Sequence, residues 1–233
     1  KEMLDRGTLK EETADAIRKS LFERLYKQLK EREAKDGIQR TVMLDTQFRM
    51  HPKIGKFISR SFYECEGEPV IKAGLDESQF DLGLAEYNGK VAQWIDLPLS
   101  EGKERRVGTS WCRDIEANEI ANKIKNLLNQ TTEVSIGVIT FFASQRELIF
   151  EKLASKDICK KTENGWEYMP KFKTLSDGTE RVRIGSVDAF QGKEFDIVLL
   201  STVRSNGFPI SDENSLRKKY GFIRTPNRLN VAF

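Results

Sequence analysis

The stretch Ser186-Val187-Asp188-Ala189-Phe190-Gln191-Gly192-Lys193-Glu194-Phe195-Asp196 runs directly into Ile197-Val198-Leu199-Leu200-Ser201-Thr202-Val203-Arg204. An apolar run at 182–187 leads into it, so a polar turn containing glycine is set between two segments of β composition. Gly192 lets the backbone come close to a ligand, and a carboxylate such as Glu194 accepts hydrogen bonds from sugar hydroxyls. The plain alternative is a tight charged hairpin whose Lys193, Glu194 and Asp196 are merely solvated.

Outward from this stretch, strand-like and helix-like patterns alternate. Residues 134–142 form an apolar, β-branched run, and Ser144 is placed to cap a helix that continues to Leu153. Ile115, Ile120, Ile124 and Leu127 recur near helical period, which predicts a helix over 114–128. Strands are expected at 91–97 and at 41–45, the latter short and buried. Pro52 suits the first turn of a helix carrying Ile54, Phe57, Ile58 and Phe62. An opening helix is expected over 13–33, with Ile17, Leu21, Leu25 and Leu29 on one face, widened by Phe22 and Tyr26 and ended by Gly37. Residues 64–88 are rich in loops, and 157–180 reads as a polar surface excursion. Apolar strands alternating with helices indicate an α/β fold: a mostly parallel open sheet with helices on both faces. In such sheets ligands gather beyond the carboxyl ends of the strands, where the polar motifs of this chain cluster.

Composition excludes several classes of function. The chain has 233 residues, 38% hydrophobic and 32% charged, and a net charge of only +3, so no global basic field marks it as a nucleic-acid binder. A local groove needs only a few placed cations, and charge is silent on that point. No apolar run is long enough to cross a bilayer, and no membrane partner is expected. Cys65, Cys112 and Cys159 are odd in number and far apart, which argues against a disulfide framework and for a reducing compartment. The expected location is the cytoplasm, or the nucleus in a eukaryote. With His51 the sole histidine, no metal site is expected.

Three further strings carry chemistry. In Leu44-Asp45-Thr46-Gln47-Phe48-Arg49-Met50-His51-Pro52, a guanidinium at a strand end can reach into a neighbouring domain's nucleotide site and neutralise charge on a γ-phosphate. Arg49 can equally pair with a carboxylate while His51-Pro52 starts a helix. In Ile136-Gly137-Val138-Ile139-Thr140-Phe141-Phe142-Ala143-Ser144-Gln145, a hydroxyl and free amides where a strand becomes a helix can hold a phosphate, and Phe141 or Phe142 can stack on a base. The same run also reads as a buried strand with its cap. In Pro226-Asn227-Arg228-Leu229-Asn230-Val231-Ala232-Phe233, Arg228 and Asn230 can face a ligand or simply anchor a short helix.

Taken together, these strings resemble a superfamily 1 helicase, more narrowly the 5′-to-3′ subgroup that includes the nonsense-mediated-decay helicase and senataxin. The resemblance implies a RecA-like fold and places 37–233 in the second motor domain, with 1–36 a helical lead-in from the first; Ser20-Leu21-Phe22-Glu23-Arg24-Leu25 resembles the helix after the family's third motif. It implies γ-phosphate contact by Arg49, with nucleotide-side contacts by Gln47, Phe48, Gln191, Gly192 and Arg228. Glu194 would bind the ribose. Strand contact is implied for Thr140 and Phe141 and for Val203-Arg204-Ser205-Asn206. The family has threonine, proline and tyrosine at 140–142; Thr140 matches, while Phe141 and Phe142 depart. ATP and Mg2+ are the implied cofactors, bound mainly by a first RecA-like domain, and single-stranded DNA or RNA is the implied partner. The family continues from 226–233 into a second arginine, so a truncated chain is expected. The sequence holds no Gly-x-x-x-x-Gly-Lys-Ser/Thr phosphate loop, so this polypeptide alone is expected not to hydrolyse ATP. The other reading is a nucleic-acid-binding or partner-binding module derived from a helicase without motor activity.

Overall fold

In the computed structural model, which describes residues 21–233, the chain divides into a short N-terminal unit ending at Asp45 and a larger one spanning Thr46–Phe233. The expected start of the first helix, including Ile17 and Ser20, lies outside the described residues. From Leu21 the helix is present as α1, Leu21–Asp36, and Gly37 ends it at φ 70°, a left-handed conformation that favours glycine. The expected strand at 41–45 does not form a ladder. Its polar groups go elsewhere: Thr41 donates its N–H to the Glu33 carboxylate, and its hydroxyl donates there too at 2.9 Å. Leu44 is 89% exposed, so the apolar character that suggested a buried strand is not used within this unit.

The larger unit opens with β1, Thr46–Gln47, followed by α2, Pro52–Ile58, and β2, Lys72–Ala73, which pairs in parallel with β1. Pro52 takes the first helical turn as its fixed φ allows, and His51 caps α2 by accepting from the Lys53 N–H at 3.1 Å. The expected strand at 91–97 is absent. The Leu97 carbonyl instead accepts from the buried Arg113 guanidinium at 2.7 Å, which also takes the carbonyls of Pro98 and Gly102.

A hairpin of β3, Arg105–Val107, and β4, Ser110–Cys112, precedes α3, Asp114–Gln130. Then come β5, Ile136–Thr140, and α4, Ala143–Ala154. The cap of α4 is Phe142 rather than Ser144, which lies within the first turn. The free N–H of Ser144 is satisfied by the hydroxyl of Ser110 at 3.2 Å. A second hairpin, β6 at Cys159–Thr162 and β7 at Gly165–Tyr168, occupies the stretch read as a surface excursion. Ile158, Cys159 and Phe172 from that stretch are buried in the main core.

The central sheet is completed by β8, Val182–Ser186, and β9, Ile197–Ser201, in the order β8-β5-β9, all parallel. The strands flanking the charged turn are therefore not hairpin partners, because β5 lies between them. Its register pairs Ile136 with Val182 on one side and with Ile197 on the other. The two-residue period of a strand then sorts β5 cleanly. Ile136 and Val138 face a core with Ile124 and Leu127 of α3 and Ile149 and Leu153 of α4. Ile139 faces the opposite core with Val187, Phe190 and Ala232. Each fully buried aliphatic side chain contributes about 1.5–3 kcal/mol. The chain ends with α5, Glu213–Tyr220, and α6, Pro226–Ala232; α6 joins the second core through Ala232. Sheet faces covered on both sides make this an α/β fold of RecA-like type. No helix among the described residues is long and apolar enough to cross a membrane.

Candidate functional site

Parallel strands on either side of β5 force residues 187–196 to travel back across the sheet face. Glycine makes this passage possible. A Cβ on Gly137 would lie 2.8 Å from Phe190 Cε1 and 3.0 Å from Phe195 Cδ2, and one on Gly185 would lie 3.1 Å from the Ala189 Cβ. Phe190 and Phe195 thus sit directly on the strand backbone and pin both ends of the polar turn. Gly192 takes φ 75°, and the Lys193 N–H closes on the Phe190 carbonyl at 2.9 Å. Asp196, one of the residues with a plain solvated reading, instead clamps the end of the crossing. Its carboxylate accepts from the Ser135 N–H at 2.7 Å and from the Ser135 hydroxyl at 2.6 Å.

Arg49 reaches this connector from a separate motif. Gln47 shapes the turn that carries it, with its side-chain oxygen accepting from the N–H groups of Arg49 and Met50 at 2.8 Å each. The Gln47 amide nitrogen donates to the Met50 carbonyl at 2.8 Å, so this side chain is committed within its own loop. Phe48 lies over Gly74, where a Cβ would come within 2.2 Å of its ring, and is otherwise exposed. The guanidinium of Arg49 donates from Nε to Glu194 Oε1 at 3.0 Å. Both partners keep large exposed fractions, 51% and 67%. Gln191 and Gly192 are exposed beside them. Arg228 of α6 approaches the same connector at Asp188, with 3.9 Å between charged atoms, while its guanidinium lies 5.2 Å from the Phe222 ring centroid. Beside Glu194 is a hollow of about 340 Å³ lined by Ser135, Thr179, Glu180, Lys193 and Phe195. The structure thus gathers Arg49, Gln191, Gly192, Glu194 and Arg228 on or against one connector.

The residues expected to meet a strand form a second group at the carboxyl ends of β5 and β9. Thr140 is buried, and its hydroxyl accepts from the Phe142 N–H at 3.3 Å. Phe141 is half-buried and packs on the second core. Val203 is buried at φ 67°, a left-handed conformation that is strained for a β-branched residue. Glu116 of α3 holds it there, accepting the Val203 N–H at 3.1 and 3.0 Å and the Ser201 hydroxyl at 3.0 Å. Gln145 extends the network, donating to Ser201 at 3.1 Å and accepting from the Arg113 N–H at 2.8 Å. Burial pushes the Glu116 carboxyl above its ordinary value, against the opposing pull of the Val203 N–H.

The segment 204–206 is organised by Glu104. Its carboxylate accepts from Arg204 Nε at 3.1 Å, from the Ser205 N–H at 2.7 Å and from the Asn206 amide at 3.0 Å. The Arg204 and Glu104 side chains are only 4% and 3% exposed, and the guanidinium lies 4.7 Å from the Trp111 ring centroid. Arg204 and Val203 therefore shape the loop from inside and do not present side chains at the surface. Sequence reasoning missed both Glu104 and Glu116. Glu116 does leave a trace: it falls one helical repeat before Ile120 and Ile124, an acid on the apolar stripe of α3. Glu104 leaves none. Among the described residues no group of three or more histidine, cysteine, aspartate or glutamate side chains is placed to hold a metal ion.

Comparison with known proteins fits this layout. Residues 17–233 match the family described as AAA domain (AAA_12). A regulator of nonsense transcripts 1 homolog from Neurospora crassa is 30% identical over 93% of this chain and 17% of its own length. The ATP-dependent helicase NAM7 of Saccharomyces cerevisiae is 29% identical over 96% of this chain and 20% of its own length. The ATP-dependent helicase upf1 of Schizosaccharomyces pombe is 28% identical over 81% of this chain and 18% of its own length. The chain thus spans a fifth or less of these curated relatives. With a parallel sheet covered on both faces and a match over nearly all its residues, this chain belongs to the AAA domain family and is a helicase-type domain homologous to the Upf1/NAM7 superfamily 1 helicases.

Proposed function

We propose that this chain is the second motor domain of an ATP-dependent nucleic-acid helicase or translocase and supplies one half of a shared ATP site. The observation that carries this reading is the Arg49–Glu194 contact: two motifs separated by 145 residues meet at the surface with their charged ends exposed. Arg49 is the finger that neutralises charge on the γ-phosphate, and Glu194 accepts hydrogen bonds from the ribose hydroxyls. Gly192 keeps the connector open to close approach, Gln191 and Phe48 flank the nucleotide, and Arg228 adds a second cation. Gln47 acts through the turn that aims Arg49. The phosphate loop and the Mg2+ ligands belong to a first RecA-like domain, and closure of the two domains brings Arg49 and Glu194 onto the nucleotide.

The carboxyl edge of the sheet, from Thr140 and Phe141 to the Val203–Asn206 loop, forms part of the groove for single-stranded DNA or RNA, largely through backbone groups that Glu104 and Glu116 hold in place. Three well-separated cysteines, with no disulfide among them, suit a cytoplasmic or nuclear location. The test is ATP turnover by this chain and by a polypeptide that also carries the first motor domain, each with and without single strands. Silence from this chain and strand-stimulated turnover by the longer one are expected. A longer protein that binds strands without turnover contradicts the motor and leaves a binding module.

A further inference from the structure

The segment Arg217-Lys218-Lys219-Tyr220-Gly221-Phe222-Ile223-Arg224 follows the 202–206 loop and interleaves cations with aromatic rings. It is built as a unit. Asp212 and Ser215 close a reciprocal capping box at the start of α5, and Arg224 pairs with Glu213 at the other end of the module. The module is tied to the 204–206 loop: Arg204 donates to the Lys218 carbonyl, and the Asn206 amide donates to the Lys219 carbonyl at 3.0 Å. Gly221 turns the chain at φ 59° where a Cβ would meet Arg204 Nη1 at 3.1 Å.

Cations in a last helical turn ordinarily answer the free carbonyls and the negative end of the dipole. Here a buried arginine and an asparagine already take those carbonyls. The side chains of Arg217, Lys218 and Lys219 make no ion pair among the described residues, and Arg217 and Lys218 are exposed. Tyr220 and Phe222 remain 38% and 55% exposed on the same segment. Placed cations beside exposed aromatic rings are what a single strand needs: phosphate neutralisation and a stacking platform.

We infer that residues 217–222 form a binding surface for single-stranded nucleic acid, with Arg217, Lys218 and Lys219 on phosphates and Tyr220 and Phe222 under bases. The inference rests on the strand-binding part of the proposed function and adds to it a surface outside the motifs that define the family resemblance. Arg204 is a positioning residue for this surface, joining it to the loop at the end of β9.

The test is fluorescence anisotropy of labelled oligo(dT) and oligo(U), about 16 nucleotides long, titrated with this chain across a salt series. Neutralising Arg217→Gln, Lys218→Gln and Lys219→Gln together is expected to flatten the plot of log affinity against log salt by about two, at ~0.7 per phosphate lost. Tyr220→Ala and Phe222→Ala are each expected to weaken binding about tenfold with the slope unchanged. Should the triple variant unfold, Lys218→Glu alone carries the test through its salt slope. A parent chain that binds while its charge variant keeps the same affinity and slope overturns this surface and leaves the motor reading intact. A parent chain that binds neither oligonucleotide overturns both this surface and the strand-binding half of the proposed function.

Discussion

Arg49 Nε stands 3.0 Å from Glu194 Oε1, joining two polar motifs at a surface where both side chains are more than half exposed. An ion pair this open to water contributes about 0–1 kcal/mol to folding. Fold stability therefore gives little reason for these two residues to meet. Arg49→Ala and Glu194→Ala are each expected to change the free energy of urea unfolding by no more than about 0.5 kcal/mol. A loss of several kcal/mol from either would mark the pair as structural.

The connector that carries Glu194 depends on the absence of a side chain at Gly137. A methyl group there meets Phe190 and Phe195 at 2.8 and 3.0 Å, and these two rings also pack on each other with centroids 5.3 Å apart. Gly137→Ala is expected to cost about 1–3 kcal/mol by overpacking. It also displaces the turn bearing Glu194, so nucleotide affinity in the longer protein falls with stability. Urea unfolding and nucleotide titration of the same variant measure the two effects.

Glu104 is expected to be among the most sensitive single positions on the strand side. Its carboxylate answers Arg204, Ser205 and Asn206 with almost no exposure, so Glu104→Ala strands a buried guanidinium. Breaking one side of such a pair costs about 3–5 kcal/mol. The expected result in urea unfolding is a large drop in midpoint, with amide exchange at 204–206 rising ahead of the rest. A change within about 0.5 kcal/mol would mean that the loop holds its shape without this anchor.

Glu116 gives the fold a pH dependence whose sign is fixed. Burial raises its folded-state value above the ordinary 4.5, so the folded chain holds this proton more tightly than the unfolded chain. The contribution of this group is fully present below 4.5 and is lost as the pH rises through the raised value. Glu116→Gln, which keeps an acceptor for the Val203 N–H, is expected to remove that part of the slope in thermal unfolding measured across the window. Glu116→Ala leaves the Val203 N–H unanswered and costs about 1–3 kcal/mol at every pH.

Helices α1 to α4 and the three central strands were legible because each carries its own period, as in the stripe of α3 and the apolar runs of β5, β8 and β9; α5, short and polar, was not. Strand order was not. Two apolar runs around a charged turn look alike whether they pair directly or admit a third strand between them; the ladders of β5 with β8 and β9, and the packing of Phe190 on Gly137 and Gly185, distinguish the two. Where strands were expected at 41–45 and 91–97, Glu33 takes the Thr41 N–H and Arg113 the Leu97 carbonyl, partners that the apolar pattern does not reveal. Ser144 looked like a cap, but Ser110, distant in sequence, answers the end of α4. Of the residues proposed for the nucleotide, Arg49 and Glu194 were legible as members of separate motifs, and the fold brings the two together. On the strand side, the chain did not announce Glu104, whose importance lies wholly in contacts with residues about a hundred positions away.

The shared-site reading stands or falls on Arg49 acting in turnover rather than in nucleotide capture. The measurement is steady-state ATP hydrolysis, paired with nucleotide affinity, in a polypeptide carrying both motor domains, before and after Arg49→Ala. Turnover is expected to fall at least about a thousandfold, the scale of a lost arginine finger, while affinity changes far less. Turnover that survives the substitution would contradict the finger role and return Arg49 to being a surface partner of Glu194.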